Sequence, residues 1–286
     1  MGNLRRDAAA LTRPMPDDAS EAADVWPAAR ALLHQSLSEG DPFDFLHWDV
    51  VRRTMIKRGR ASMVPELRHL RGRSDWKGRW APAVRESTIG HPRPFHLYPR
   101  SSGTLLHQAY HLCRFEETTG TSFVTLPCIL EFGGGYGSLC RLFHQLGFTG
   151  TYVIFDLPEV SALQRFFLEH LGLPSACEPK VLPPRGVVTT SNVETLAALM
   201  SGRGADRAGF IATWSLSEAP LDVRAPVLDV VASFDAHLLA YQDRFGEIDN
   251  VAFFSQWRAR LPEFSWSEIP ISHTPKSGRY LVGVRR

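Results

Sequence analysis

The stretch that decides the fold is Ile129-Leu130-Glu131-Phe132-Gly133-Gly134-Gly135-Tyr136-Gly137. Its apolar start has the pattern of a buried strand, and the residues after it have helical spacing, with Leu139, Leu142 and Leu146 on one face. Glycines permit a turn with positive φ and close approach of a ligand, and the first N–H groups of a helix are free to bind one. The sequence therefore predicts a ligand-binding loop between a strand and a helix.

The spacing of this loop separates two classes of adenosine ligand. A dinucleotide-binding turn has the pattern G-x-G-x-x-G, whereas Gly133, Gly135 and Gly137 follow one another at every second position. Glu131 stands two positions before the first glycine, as in the E-x-G-x-G-x-G pattern, where the acid attends the amino end of S-adenosylmethionine (SAM). Because SAM has no phosphate, an acid beside the loop is tolerated. The loop thus favours SAM over a dinucleotide, and a glycine turn without any ligand is the alternative.

The run Tyr152-Val153-Ile154-Phe155-Asp156 supplies the second half of the pattern. A carboxylate at the end of this strand can accept both ribose hydroxyls, in dinucleotide and SAM folds alike. Other contacts are expected after the third and fourth strands, although Trp214 is as easily a core residue. The predicted cofactor-binding residues are Glu131, Gly133, Gly135, Tyr136, Gly137, Asp156, Leu157, Ser191, Asn192, Trp214 and Ser215.

From Cys128 onward, short β-rich runs alternate with helical ones, which is typical of βαβ units and a parallel sheet. The tail reads as an antiparallel hairpin, Trp266 to Ile271 with Tyr280 to Val284. The predicted fold is α/β: a Rossmann-like, mostly parallel sheet with a terminal antiparallel hairpin, preceded by helices. The predicted divisions are a loose N-terminus (1–20), a helical region that covers the substrate (21–100) and the SAM-binding domain (101–286).

Four segments together resemble a bacterial family of putative sugar O-methyltransferases, which are class I SAM-dependent methyltransferases. They are the glycine stretch above, Val153 to Val160, Ser215 to Glu218 and Ile248 to Asn250. The resemblance covers roughly residues 100 to 286 and implies SAM as cofactor and methylation of a hydroxyl. Phe155-Asp156-Leu157-Pro158 also resembles plant-type O-methyltransferases, but their catalytic histidine has no counterpart at Thr213 to Glu218. That role cannot be carried over.

The candidates for acid–base catalysis are Glu218, after the fourth strand, and His273, in the terminal hairpin. A helix-start carboxylate is the alternative for Glu218. The predicted substrate-binding residues are His107, Tyr110, His111, Asp243 and Asn250. An exposed polar helix face is the alternative for the two histidines, and turn chemistry is the alternative for the last two residues. No cluster has convincing metal-ligand spacing, so no metal is expected.

The composition limits which partners and which cellular compartment are expected. A net charge of +2 is too mild to imply a nucleic acid or a membrane as main partner, and four scattered cysteines indicate a reduced, cytoplasmic protein. Between Arg52 and Arg85, eleven basic residues stand against two acidic ones. This run is either a solvated surface or a cradle for an acidic or nucleotide-linked acceptor. We expect a small-molecule acceptor, and a homodimer stays open because the sequence does not give the oligomeric state.

The resulting hypothesis is SAM-dependent O-methylation of a sugar or sugar-bearing metabolite. The rival hypotheses are O-methylation of another natural product, at a peptide carboxylate or a phenol, and a SAM-binding protein without catalysis. Turnover of an acceptor would separate an enzyme from a pure binder.

Overall fold

The computed structural model describes residues 19–57, 59–204, 206–274 and 277–286. The chain begins with helices, as predicted; the expected loose terminus, residues 1–20, falls almost wholly outside the described residues. The first elements are α1 (Ala19–Glu39), a 3-10 turn (Pro42–His47), α2 (Asp49–Thr54), α3 (Arg60–Gly72), a π-helical turn (Trp76–Trp80) and α4 (Ala81–Ala83). A short antiparallel pair, β1 (Pro94–Phe95) and β2 (Tyr98–Ser102), follows these helices.

Helix α5 (Gly103–Thr119) links the N-terminal helices to the sheet. It begins where the Ser102 side chain accepts from the Leu105 amide at 3.1 Å, and it ends at Gly120, whose φ of 68° suits glycine. It packs against α3 on one side and against the terminal hairpin on another. Both faces of α5 are therefore covered.

An eight-stranded sheet forms the centre of the protein, and its strands and intervening helices follow in chain order. They are β3 (Cys128–Phe132), α6 (Ser138–Gln145), β4 (Thr151–Phe155), α7 (Pro158–His170), β5 (Ser175–Cys177), β6 (Gly186–Thr190), α8 (Val193–Gly202), β7 (Ala208–Thr213), α9 (Ser215–Glu218), α10 (Leu221–Val231), β8 (Ala236–Gln242), α11 (Asn250–Ala259), β11 (Phe264–Pro270) and β12 (Gly278–Arg285). Two short strands, β9 (Arg244–Phe245) and β10 (Ile248–Asp249), form a separate hairpin.

The strand order is β11-β12-β8-β7-β3-β4-β6-β5. Strands β5, β6, β4, β3, β7 and β8 pair in parallel, and β12 and β11 close the sheet with antiparallel pairing. Strand β3 lies between β4 and β7, so the chain leaves it in one direction and returns on its other side. In open parallel sheets, ligands bind at the carboxyl ends of the strands at such a switch point. The predicted Rossmann-like fold is confirmed.

Strands and helices alternate from Cys128 onward as predicted, and the terminal hairpin lies within two residues of its predicted bounds. Strands β5, β9 and β10 were not predicted, because two or three residues at an edge carry too little alternation to be recognised. Pro270 ends the edge strand β11, where a missing N–H is tolerated. No helix within the described residues combines the length and apolarity needed to cross a bilayer.

Candidate cofactor and acceptor site

The glycine loop lies at the carboxyl end of β3, at the switch point of the sheet. Gly133, Gly135 and Gly137 all have positive φ, at 71°, 55° and 94°. The loop is tied to the neighbouring strand because the Gly133 amide donates to the Phe155 carbonyl at 2.8 Å. A side chain at Gly133 would place its Cβ 2.3 Å from the Cβ of Ser215. Both the backbone conformation and the space therefore require glycine at this position.

Glu131 lies beneath the loop and is 2% exposed. Its Oε2 accepts the Tyr152 hydroxyl at 2.8 Å and would lie 3.0 Å from a Cβ at Gly134. Burial raises the pKa of this carboxyl to about 8, opposed by the Tyr152 hydrogen bond and reinforced by the charge of Asp156. The carboxyl thus supports the loop from below and prefers to be protonated near neutral pH.

Asp156 follows β4 and holds the loop from the side. One carboxylate oxygen accepts the Leu157 amide at 2.8 Å, and the other accepts the Gln164 amide at 2.9 Å. Gln164 also donates to the Gly135 carbonyl at 2.8 Å, while its buried Oε1 has no hydrogen-bond partner within the described residues. Burial raises the pKa of Asp156 to about 7, against the backbone hydrogen bonds of Leu157, Gly135 and Gly134. Asp156 therefore ties the glycine loop to α7 through its own hydrogen bonds.

Trp214 and Ser215 follow β7 and form the opposite wall of the loop. The Ser215 hydroxyl donates to the Phe132 carbonyl at 2.5 Å. Trp214 has φ 72° and ψ −43°, which is rare for a residue with a side chain and typical of functional sites. Its ring contacts Gly278 of the hairpin, and its centroid lies 6.5 Å from that of His111. Trp214 therefore connects the loop with the residues of α5.

Two side chains of the N-terminal region also lie at this wall, and the sequence did not indicate either. The Cβ of Met55 would be 3.7 Å from a Cβ at Gly135, and Lys57 Nζ lies 5.9 Å from the centre of the Trp214 ring. Burial lowers the pKa of Lys57, and the charge of Glu66 opposes this shift. The glycine loop is thus covered from outside by the chain between α2 and α3.

A buried polar cluster lies between α3, α5 and the terminal hairpin. Glu66 is fully buried, and its Oε1 is 2.8 Å from both Nδ1 of His107 and Nε2 of His273. Nε2 of His107 is 3.1 Å from Nε2 of His111, whose Nδ1 is 2.6 Å from the Tyr280 hydroxyl. We call these five residues the Glu66 cluster. Since His107 and His111 are 5% and 0% exposed, the alternative of an exposed polar face is wrong.

Charges within the Glu66 cluster are set by burial and by pairing. Burial opposes ionisation of Glu66, but His107, His273 and Lys57 together lower its pKa to about 2. Burial lowers the pKa of His107 and of His111, in the first case against the pull of Glu66. At neutral pH the cluster therefore holds one carboxylate and two neutral imidazoles, with His273, 14% exposed at its side chain, at its outer end. Tyr110 packs edge-on against His273 with centroids 5.2 Å apart.

A second cluster of polar side chains lies between α3 and α5, farther along both helices. Nε2 of His69 is 2.9 Å from Glu117, and the Cys113 thiol is 3.5 Å from it. Among the described residues, these three alone form a set of three potential metal ligands within 4.8 Å of one another. Arg73 and Arg114 already pair with Glu117 at 2.9 and 3.0 Å, which disfavours a cation there. In the ranges that the structure describes, His107 and His111 of the Glu66 cluster have no third potential ligand that meets the same 4.8 Å limit.

Three other predicted site residues, Glu218, Asp243 and Asn250, come after β7 and β8 and form hydrogen bonds and an ion pair there. Glu218 accepts from Gln242 at 3.4 Å, and Asp243 pairs with Arg279 at 2.9 Å. Asn250 is fully buried: its Oδ1 accepts from Arg224 at 2.7 Å, and its Nδ2 donates to the Gln242 carbonyl at 2.9 Å. These contacts join side chains to one another and, through Asn250, to the backbone at the end of β8. The roles of the three residues in binding and catalysis stay predictions.

The remaining predicted cofactor contacts lie at the carboxyl ends of β3, β4 and β6. Tyr136 is 3% exposed and packs on Phe45 and Phe167, so only its backbone faces the loop. The Ser191 hydroxyl is 3.3 Å from that of Ser161, and Asn192 caps α8 by accepting the Thr195 amide at 2.8 Å. Leu157 precedes α7 and is half-buried.

Much of the basic run between Arg52 and Arg85 is paired within the protein. Arg73 and Arg79 share Asp75, and they also bind Glu117 and Glu116 of α5 at 2.9 and 2.6 Å. Acidic residues from a later helix therefore neutralise charge that the sequence shows as unbalanced. Lys57 differs, because the charge that acts on it is that of the Glu66 carboxylate, which is already held by two histidines.

No family model and no curated protein matches the sequence. Solved structures similar to the chain include magnesium protoporphyrin IX methyltransferase (ChlM) from Synechocystis PCC 6803 with bound SAM, at 14% identity and a TM-score of 0.44 over 82% of this chain and 100% of that one. Another is the glycopeptide N-methyltransferase MtfA, at 15% identity and a TM-score of 0.40 over 61% and 94%. Similarity at this level transfers neither ligand nor substrate. The fold rests on the strand order, which is that of a Rossmann-like, mostly parallel sheet closed by an antiparallel hairpin.

Proposed function

We propose that the protein is a SAM-dependent methyltransferase. The observation that carries this proposal is the glycine loop with three positive-φ glycines at the switch point, flanked by Asp156 at the end of the adjacent strand. The polar groups around the loop suit SAM. Asp156 would accept the ribose hydroxyls, the unpartnered Gln164 Oε1 is a further acceptor, and Glu131 lies beneath the loop. The spacing of the loop favours SAM over a diphosphate-bridged coenzyme, because its third glycine comes one residue earlier than in G-x-G-x-x-G.

We further propose that the acceptor is a hydroxyl of a sugar or sugar-bearing metabolite. When bound, SAM would supply an electrophilic methyl group. The chain must then orient the acceptor hydroxyl and remove its proton. His273, backed by Glu66 in the cluster that approaches Trp214 through His111, is the first candidate for the base, and Glu218 is the second. Lys57, beside Trp214, suits an acidic group on the acceptor.

Isothermal titration with SAM, S-adenosylhomocysteine (SAH) and NAD tests the cofactor. We expect the first two to bind and NAD not to bind, and binding of NAD alone would reject the proposal. The acceptor is tested by methyl transfer from labelled SAM to a panel of sugars, nucleotide sugars, phenols and peptide carboxylates. Methylation of phenols or carboxylates instead of sugars would support the rival acceptors, and SAM binding without any turnover would indicate a pure binder.

His273→Gln and Glu218→Gln distinguish the two candidate bases. We expect the first to lower kcat by about a hundredfold or more, in the range of general base catalysis, with SAM affinity unchanged. The second should affect turnover less, because Glu218 already accepts a hydrogen bond from the Gln242 side chain. The opposite order would make Glu218 the base.

A further inference from the structure

The hydrogen bonds of the Glu66 cluster can run in one direction only. An ionised carboxylate accepts and cannot donate, so both rings that contact Glu66 Oε1 must donate to it: His107 through Nδ1–H and His273 through Nε2–H. The pKa values described above leave Glu66 ionised and His107 neutral at neutral pH. A neutral ring carries one proton, so the donated hydrogen bond fixes the tautomer of His107, and it fixes that of His273 in the neutral form of the ring.

The same reasoning extends through the rest of the cluster. With its proton on Nδ1, His107 has a lone pair on Nε2, which must accept from Nε2–H of His111 at 3.1 Å. His111 then has its lone pair on Nδ1, which accepts the Tyr280 hydroxyl proton at 2.6 Å. Every contact in the series is satisfied by this one arrangement. The proton on Nε2 of His273 leaves Nδ1 of that ring as the basic atom at the outer end.

A metal ion is the competing explanation for two histidine nitrogens 3.1 Å apart. Structural and catalytic sites use at least three protein ligands. Within the described part of the chain, no third histidine, cysteine or carboxylate atom joins this pair within 4.8 Å. Tyr280 and Glu66 occupy the outer nitrogens of the two rings, as hydrogen-bond partners. The hydrogen-bonded series accounts for the geometry without an ion.

We propose that Glu66 is a positioning residue, which holds His273 with Nδ1 unprotonated and thereby makes that atom the base for the acceptor hydroxyl. His273 takes the hydroxyl proton at Nδ1 while the oxygen forms its bond to the methyl group and the electron pair of the broken C–S bond stays on sulfur. The Glu66 carboxylate stabilises the resulting imidazolium, as in other carboxylate–histidine pairs. This inference rests on the proposed methyl transfer and extends it to an N-terminal residue.

The tautomers can be measured without any turnover. In protein labelled with ¹⁵N-histidine, two-bond ¹H–¹⁵N correlations report which ring nitrogen carries the proton, and single His→Gln variants assign the signals. We expect a protonated Nε2 in His273 and His111 and a protonated Nδ1 in His107. A proton on Nδ1 of neutral His273 would overturn the inference, whether or not the protein binds SAM.

Enzyme kinetics test whether Glu66 contributes to catalysis. A matched control is a carboxylate that lies between the same two helices, α3 and α5. Glu66→Gln keeps the shape but removes the charge, and we expect kcat to fall by about a hundredfold or more, with SAM affinity and the acceptor KM unchanged. Glu117→Gln removes the carboxylate that pairs with His69, and kcat should be unchanged. Unchanged kcat in Glu66→Gln would overturn the inference, even if SAM binds. If that variant does not fold, the tautomer of His273 in the unsubstituted protein decides.

Discussion

Glu131→Gln should stabilise the protein without its ligand. Burial raises the pKa of Glu131 from 4.5 to about 8, so the folded protein binds a proton at this group that the unfolded chain releases above pH 4.5. Folding at pH 7 must therefore take up that proton, which is unfavourable. Glutamine is neutral and its oxygen can still accept the Tyr152 hydroxyl. The substitution removes the proton uptake and keeps the hydrogen bond.

The size of the effect depends on pH. At pH 7 the unfolded chain is about 2.5 pH units above its pKa of 4.5, and at about 1.4 kcal/mol per unit the cost is about 3 kcal/mol. Because the folded pKa is the raised one, the stability of the unsubstituted protein falls as the pH rises from about 4.5 to about 8 and then stays level. The gain from Glu131→Gln should be near zero at pH 4.5 and largest above pH 8.

Thermal unfolding of both proteins between pH 5 and pH 9, without ligand, measures this. At roughly 2 °C per kcal/mol for a chain of this size, the melting temperature at pH 7 should rise by about 6 °C. Glu159→Gln is the control, because Arg30 lowers the pKa of Glu159 and that variant should be no more stable than the original protein. A melting temperature that falls in Glu131→Gln, or a difference that does not grow with pH, would refute the assignment of a protonated Glu131.

Three further predictions concern the loop and its walls. Asp156→Ala should weaken SAM binding at least tenfold in calorimetry, because two ribose hydrogen bonds to a charged acceptor are lost; unchanged affinity would remove Asp156 from the site. Gly133→Ala should destabilise the protein by about 2 kcal/mol or more in denaturant unfolding, since its Cβ would meet Ser215 at 2.3 Å and its φ is positive; unaltered stability would contradict the steric argument. Lys57→Met should raise the KM of an acidic acceptor about tenfold while that of a neutral one changes little, and equal effects on both would reject an anion contact at Trp214.

The glycine loop and the central strands were predictable because their signals are local. A buried parallel strand is a short apolar run, and the turn after β3 requires glycines at fixed spacing whatever surrounds it. Asp156 follows from the same unit, since the strand before it is equally apolar. These features need no knowledge of residues far away in the chain.

The Glu66 cluster could not be found in this way, because its members come from three distant parts of the chain. Glu66 is one of two acidic residues in a basic run, and the sequence gives its charge but not its burial. His107 and His111 lie on the face of α5 opposite an apolar stripe, which suggests exposure. They are buried because α3 and the hairpin cover that face too. The sequence did show Glu66 as an unusual acidic residue in a basic segment. Its role in the cluster becomes recognisable only when the histidines that contact it are known.

The position of Met55 against Gly135 means that the loop has a wall made some eighty residues earlier in the chain. A fragment that started at residue 101 would keep the whole eight-stranded sheet and both halves of the glycine pattern. It would nevertheless leave Gly135 open to water and would lack Lys57 and Glu66. Boundaries chosen from the sheet alone would therefore yield a protein that resembles the original in its fold and lacks residues of the proposed site.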